Sequence, residues 1–233
     1  MTEARPKCLV ELAGRPLLDW QVAAMRAAGI RDIKIVTGYR QDLLENRGLE
    51  TRHNPIWSET NMVGSLWCAR DLIDEPTIVS YSDIVYAPET VRRLLDSGAS
   101  LGLSYDRDWY ALWSARFADP LSDAESFQID ASGAITDIGR RVKSLSEING
   151  QYMGLLLMTP ATMGWLSELH TQNPEAIRKL AMTDLLRHFI SEGRRVAGVP
   201  ATGGWCEVDT PDDLRVAEGL VATGRIAFPK AAR

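Results

Sequence analysis

The 233-residue chain is short of several things, and each shortage excludes something. It has only three cysteines, Cys8, Cys68 and Cys206. They are scattered, odd in number and without metal-ligand spacing, so they read as reduced core residues of a cytoplasmic protein. There are only three histidines, His53, His170 and His188, and none shares a spacing with a Ser or Cys nucleophile, so a hydrolase triad has no support. No apolar run reaches the length of a membrane span, and the opening residues do not read as a secretory signal. Basic charge is in deficit, with 26 Lys and Arg against 31 Asp and Glu and a net charge of -5. That argues against non-specific nucleic-acid binding. A Gly-rich phosphate loop is absent from the sequence as given.

What is present is an alternation of short apolar runs with helical stretches. "RPLLDWQVAAMRAAGI" predicts a helix opened by Pro16 and stopped by Gly29, and "DIKIVTGY" a buried strand meeting a loop. "DLLENRG" reads as a short helix and "LETRHN" as a short strand. "EPTIVSYSDIVY" reads as one apolar strand with Asp83 at its C-terminal end, and "APETVRRLLDSG" as the next helix. From Trp109 to Asn149 the pattern changes, with a hairpin predicted about Ser132-Gly133. "TPDDLRVAEGLVATG" closes as a helix with Thr210 as N-cap and Pro211 in its first turn. The expectation is a single α/β domain over residues 1–233, an open, mixed and mainly parallel Rossmann-like sheet flanked by helices, with a small hairpin or lid insertion at 103–150.

Candidate reactive residues fall at strand ends. Asp83 would project into the crevice at the sheet edge, although a carboxylate there serves equally well as a turn acid. In "WCEVDT", Glu207 and Asp209 are two apart on a strand and share a face, while Val208 points into the core. With Asp83 they would make an oxygen-ligand site suited to Mg2+. Lys7, on a turn fixed by Pro6, could act as a point charge against phosphate or be a solvated surface charge. It precedes "CLVEL", which reads as a short strand. Acids and aromatics between Tyr105 and Glu125 suit a cage for an organic cation, or equally a lid whose aromatics pack on the sheet.

Over essentially its whole length the chain resembles the nucleotidyltransferases of the GT-A-like, sugar-phosphate-nucleotidyltransferase superfamily. The segments that carry the likeness include "TEARPKCLVELAGRPLLDWQ", "HNPIWSETNMVGSLW", "IVSYSDIVY" and "WCEVDTPDDL". Within it the chain is most similar to the phosphocholine and phosphonoalkyl cytidylyltransferases. The resemblance implies that Lys7 contacts the nucleotide phosphates and that Asp83 and Asp209 hold the catalytic Mg2+, with Glu207 assisting. It puts Gly38 and Tyr39 at the base pocket and Asn61 and Ser65 in the nucleotide-holding loop. The acceptor would enter near Asp106, Asp108, Trp113 and Glu125, with Trp205 as a wall. The partners implied are CTP and a small phosphate or phosphonate acceptor, and a homodimer is allowed.

The family pattern begins with a strand and a "LAAGxGxRLxPxT" loop, of which this sequence shows only the end. The resemblance therefore implies that roughly 20 residues are missing at the front. It leads to the expectation of unpaired neighbouring strands and a destabilised, nearly inactive chain as written. Competing readings are a sugar-1-phosphate nucleotidyltransferase, a nucleotide-binding relic without chemistry, and a glycosyltransferase on the same sheet.

Overall fold

A computed structural model describes residues 4–201 and 203–229. The chain opens on a 3-10 turn, Lys7–Leu9, closed by Leu9 N to Pro6 O at 3.0 Å and Val10 N to Lys7 O at 2.9 Å. Of the strand expected over "CLVEL" only the last two residues are extended and paired, because this tight turn takes up the first ones. Strands β1 (Glu11–Leu12) and β2 (Arg15–Pro16) form a minimal hairpin about Ala13 and Gly14, both at positive φ. Helix α1 (Leu17–Ala27) follows with Pro16 as its N-cap, and Gly29 at φ 99° ends it.

Strand β3 (Lys34–Thr37) runs parallel to β4 (Glu50–His53). Between them the expected "DLLENRG" helix is only a 3-10 turn, Gln41–Leu43, entered through Arg40 at φ 50°. Helix α2 (Met62–Cys68) leads to β5 (Thr77–Ser80) and β6 (Ile84–Val85). The strand anticipated through "EPTIVSYSDIVY" is therefore two, and Asp83 lies in the excursion between them. Then come α3 (Pro88–Asp96), β7 (Leu101–Asp106), α4 (Trp109–Arg116), β8 (Glu125–Ile129), β9 (Ile135–Arg141) and β10 (Gln151–Met158). The chain finishes with α5 (Pro160–Gln172), α6 (Pro174–Lys179), α7 (Met182–Ser191), β11 (Ala197–Ala201), β12 (Cys206–Glu207) and α8 (Pro211–Ala222).

The central sheet has the order β11-β7-β10-β5. β11 pairs with β7 in parallel, and β10 pairs antiparallel with both β7 and β5. Three strands therefore share one direction and β10 opposes them. Among the described residues, β3 and β5 are each hydrogen-bonded to a neighbour on one side only. The β8–β9 hairpin turns at Gly133, where φ is 76°.

Alternation along β10 separates two cores. Leu156 and Met158 pack with Leu166, Leu185 and Phe189 of α5 and α7, whereas Met153, Leu155 and Leu157 pack with Met25, Val91 and Leu94 of α1 and α3. The alternation survives an irregularity in register: Tyr152 pairs with Tyr105, yet Leu156 pairs with Leu103. Gly154, at φ 76°, sits there, and a Cβ on it would come within 2.8 Å of the Tyr81 ring. Only glycine fits.

A third core joins the segments that carry the candidate acids and lysine. Val10 follows the Lys7 turn, Val85 belongs to the segment after Asp83, and Cys206 and Val208 flank Glu207; all four are buried together with Trp20 and Ala217. Burying these neighbours draws Lys7, Asp83, Glu207 and Asp209 to one sheet edge.

Candidate active site

Lys7 Nζ lies between two carboxylates, 3.0 Å from Asp83 Oδ2 and 2.5 Å from Asp209 Oδ1. Burial works against the ammonium, but the hydrogen bond it donates to Asp209 and the charge of Asp83 outweigh it and raise the Lys7 pKa. The Asp83 loop is braced from two sides. Val208 N donates to Asp83 O at 2.8 Å, and buried Gln21 of α1 donates through Nε2 to Tyr81 O at 2.8 Å and Ile84 O at 2.6 Å. The main chain on both sides of Asp83 is thus held in place independently of the bond from Lys7 to its side chain.

The strand expected to carry both Glu207 and Asp209 is shorter than that: β12 ends at Glu207, and Asp209 lies beyond it. Both approach the Arg116 guanidinium: Nη2 is 3.0 Å from Glu207 Oε2 and 3.9 Å from Asp209 Oδ2. Arg116 Nε also donates to Asp213 Oδ1 at 2.7 Å. Burial, reinforced by the Asp209 charge, lifts the Glu207 carboxyl to about 7 against the pull of Arg116. Asp213 is lowered instead, because the hydrogen bond and charge of Arg116 overcome its desolvation. Four carboxylates (Asp83, Glu207, Asp209, Asp213) thus face two cations (Lys7, Arg116), which leaves a surplus of negative charge.

The donor set fits a hard divalent cation. Asp83 Oδ1 is buried without a hydrogen-bond partner, an orphan acceptor that a cation would satisfy. Among the described residues, no group of three or more His, Cys, Asp or Glu side chains is already arranged to hold a metal ion. Two carboxylates suffice for Mg2+, which usually takes its remaining ligands from water and substrate phosphates.

Beside the acids opens a cleft of about 290 Å3 whose lining includes Met62, Tyr81, Glu125, Tyr152, Glu207 and Asp209. It has no lysine or arginine among its described lining residues. Burial, with Asp123 nearby, raises the Glu125 pKa.

Residues 1–150 match the family model of the MobA-like NTP transferase domain. The chain belongs to this family. This NTP transferase is 31% identical to the CTP:phosphoglutamine cytidylyltransferase of Campylobacter jejuni, over 93% of this chain and 92% of that one. It is 26% identical to the CMP-5'-(3-aminopropyl)phosphonate synthase of Streptomyces rubellomurinus, over 92% of this chain but only 35% of that longer one. Among solved structures, the inositol-1-phosphate CTP transferase from T. maritima superposes with a TM-score of 0.72 at 19% identity, covering 94% of this chain and 87% of that one. That likeness shows the GT-A-like fold. The NTP transferase is accordingly a nucleotidyltransferase, and among its described residues no helix is long and apolar enough to cross a membrane.

The remaining sequence candidates are dispersed. Gly38 follows β3 against Trp57, whose side chain lies 2.6 Å from where a Cβ would be, and the exposed Tyr39 ring stands 5.5 Å from Trp57. Asn61 caps α2 by accepting from Met62 N, and Ser65 Oγ is 3.2 Å from the Nδ2 of buried Asn54. Of the proposed acceptor residues, Glu125 alone lines the cleft. Trp113 and Trp205 are each 4% exposed and belong to the core beneath α4. Trp205 Nε1 donates to Asp106 Oδ2 at 2.8 Å and Trp113 Nε1 to Asp123 Oδ2 at 3.1 Å. Asp106 is buried in that pair, its pKa raised by the burial, and Asp108 sits exposed at the start of α4. The indoles are thus core side chains that take acids as partners.

Sequence reasoning missed Arg116, Gln21, Tyr81 and Tyr152. Arg116 had one readable signal, a lone cation among apolar and aromatic neighbours in "YALWSARF". A cation so placed must find an acid.

Proposed function

We propose that this nucleotidyltransferase moves CMP from CTP to a small phosphate or phosphonate bearing an amine or trimethylammonium group, in the cytoplasm, with Mg2+ as cofactor. The observation that carries the reading is Lys7 held between Asp83 and Asp209 at the sheet edge of an NTP transferase. Cytidylyl transfer to phosphoglutamine and to an aminopropylphosphonate by the two relatives supports the nucleotide and the acceptor class.

In this reading an acceptor oxygen attacks the α-phosphorus of CTP. The new phosphorus–oxygen bond forms as the bond to the bridging oxygen breaks, and that electron pair leaves with pyrophosphate. No covalent protein intermediate is needed, which suits a site without an activated nucleophile. Lys7 turns from its carboxylates toward the triphosphate and stabilises charge that develops on the phosphoryl oxygens. Asp83 and Asp209 would hold Mg2+, which when bound supplies charge neutralisation to the triphosphate. Glu125, with Tyr81 and Tyr152, receives the cationic end of the acceptor, combining charge with aromatic faces. Gly38, Tyr39, Asn61 and Ser65 border the nucleoside. Fixed geometry provides most of the remaining rate by holding nucleophile and leaving group in line.

The test is pyrophosphate release across the four NTPs and a panel of phosphocholine, 2-aminoethylphosphonate, phosphoglutamine and sugar 1-phosphates. Turnover that requires CTP and a cationic acceptor supports the reading. Turnover with a sugar 1-phosphate and UTP or dTTP overturns it.

A further inference from the structure

Arg116 closes the last turn of α4 with a side chain only 2% exposed. Nε is fixed by Asp213, itself 3% exposed, whose other oxygen accepts from Asp209 N, Thr210 N and Thr210 Oγ1. The Trp113 and Phe117 rings stand 5.1 and 5.0 Å from its Cζ. A guanidinium so enclosed cannot turn. In this pose Nη2 faces Glu207 and Asp209, while Nη1 is buried with no partner. An arginine buried for stability alone is expected to satisfy all its donors. This one leaves a donor orphaned and aims another at the acid pair.

We propose that Arg116 is a positioning residue that holds Glu207 aside and presents Asp209 to the cation-holding side of the site. The proposal rests on the reading of Asp83 and Asp209 as that pair. Two carboxylates on one face repel, and without a fixed cation either could swing into the place opposite Lys7. Arg116 resolves this by taking Glu207 at 3.0 Å and keeping only a longer 3.9 Å contact to Asp209 Oδ2. Asp209 Oδ1 then stays on Lys7 at 2.5 Å. Because α4 lies in the stretch between β7 and the β8–β9 hairpin, the order of the acids at one sheet edge is set from the insertion.

Positioning and simple charge balance predict opposite signs. If Arg116 were only a counter-ion, removing it would tighten cation binding by the carboxylates around it. If it positions them, removing it weakens binding, as loss of second-layer contacts to metal ligands typically does by about 10–100-fold. R116M alone would strand Asp213 as an unpaired buried charge. The decisive variant is R116M/D213N, in which the amide oxygen can still accept from Asp209 N and Thr210. Thermal midpoint and Mn2+ affinity, measured by electron paramagnetic resonance with MnCl2 alone, should show a parent-like fold and a dissociation constant raised about tenfold. R116K, which keeps the charge without the fork, should fall between the two. Parent-like or tighter Mn2+ binding in either variant would overturn the positioning role. A parent that binds no Mn2+ would overturn the reading of Asp83 and Asp209 itself, and this proposal with it.

Discussion

Replacing Lys7 by Met keeps much of the side-chain length and removes the charge between Asp83 and Asp209. In the resting protein two charge-assisted hydrogen bonds disappear, and two carboxylates that shared one ammonium face each other. Such bonds are worth about 1.5–3 kcal/mol each when buried, but Lys7 and Asp209 are partly exposed, so about 1–2 kcal/mol of stability should be lost in total. The effect on turnover should be larger than the effect on folding. A preorganised donor aimed at developing charge contributes about 10²–10³-fold to kcat. Pyrophosphate release at saturating CTP, with urea unfolding of the same preparations, separates the two effects. K7R, with its charge spread over a planar fork, should recover only part of the rate. If K7M folds like the parent and keeps kcat/KM for CTP within about threefold, Lys7 is not the phosphate contact and the mechanism above fails.

Three further outcomes follow from other parts of the structure. The Glu207 carboxyl, lifted to about 7 from an ordinary 4.5, binds its proton more tightly in the folded chain than in the unfolded one. Its contribution to stability, at most about 3 kcal/mol, is complete below pH about 4.5 and is lost as pH rises through about 7. E207Q should therefore lose less stability than the parent across that window, and parallel urea midpoints in the two proteins would refute the shift. W205F should cost about 1–3 kcal/mol by leaving Asp106 without its buried donor, while KM for the acceptor stays within about twofold. A large rise in that KM would return Trp205 to the pocket wall. G154A should cost about 2–4 kcal/mol in denaturant unfolding, through its positive φ and contact with Tyr81; a cost near zero would mean that the bulge rearranges freely.

The sequence made some of this legible because the signals were local. Thr210, Pro211 and Asp213 announce the start of α8, and the structure shows the full capping box. Asp83, Glu207 and Asp209 read as charges at strand ends and Lys7 as one on a turn, and buried neighbours on each segment explain why they converge. What stayed hidden was non-local. Arg116 meets its carboxylates 91 to 97 residues downstream, and no spacing rule reaches that far. Asp213 has a local role as the acid of that capping box, which conceals that its other oxygen anchors a guanidinium. The Trp and Asp residues of the insertion misled for a related reason. An aromatic–acid cluster describes a cation cage and a set of buried indoles with hydrogen-bond acceptors equally well, and only packing tells them apart.

Strand β10 carries one more consequence. Between its pairings with Tyr105 and Leu103, which are two residues apart, β10 uses four, from Tyr152 to Leu156. The surplus is even. A strand's two faces are a matter of parity, so two added residues leave odd and even positions where they were, whereas one would exchange the side chains on one side of it between the two cores. The excursion over Tyr81 beside the cleft therefore leaves both cores in place. Changes of length at this point of the chain should be tolerated in twos and rejected in ones.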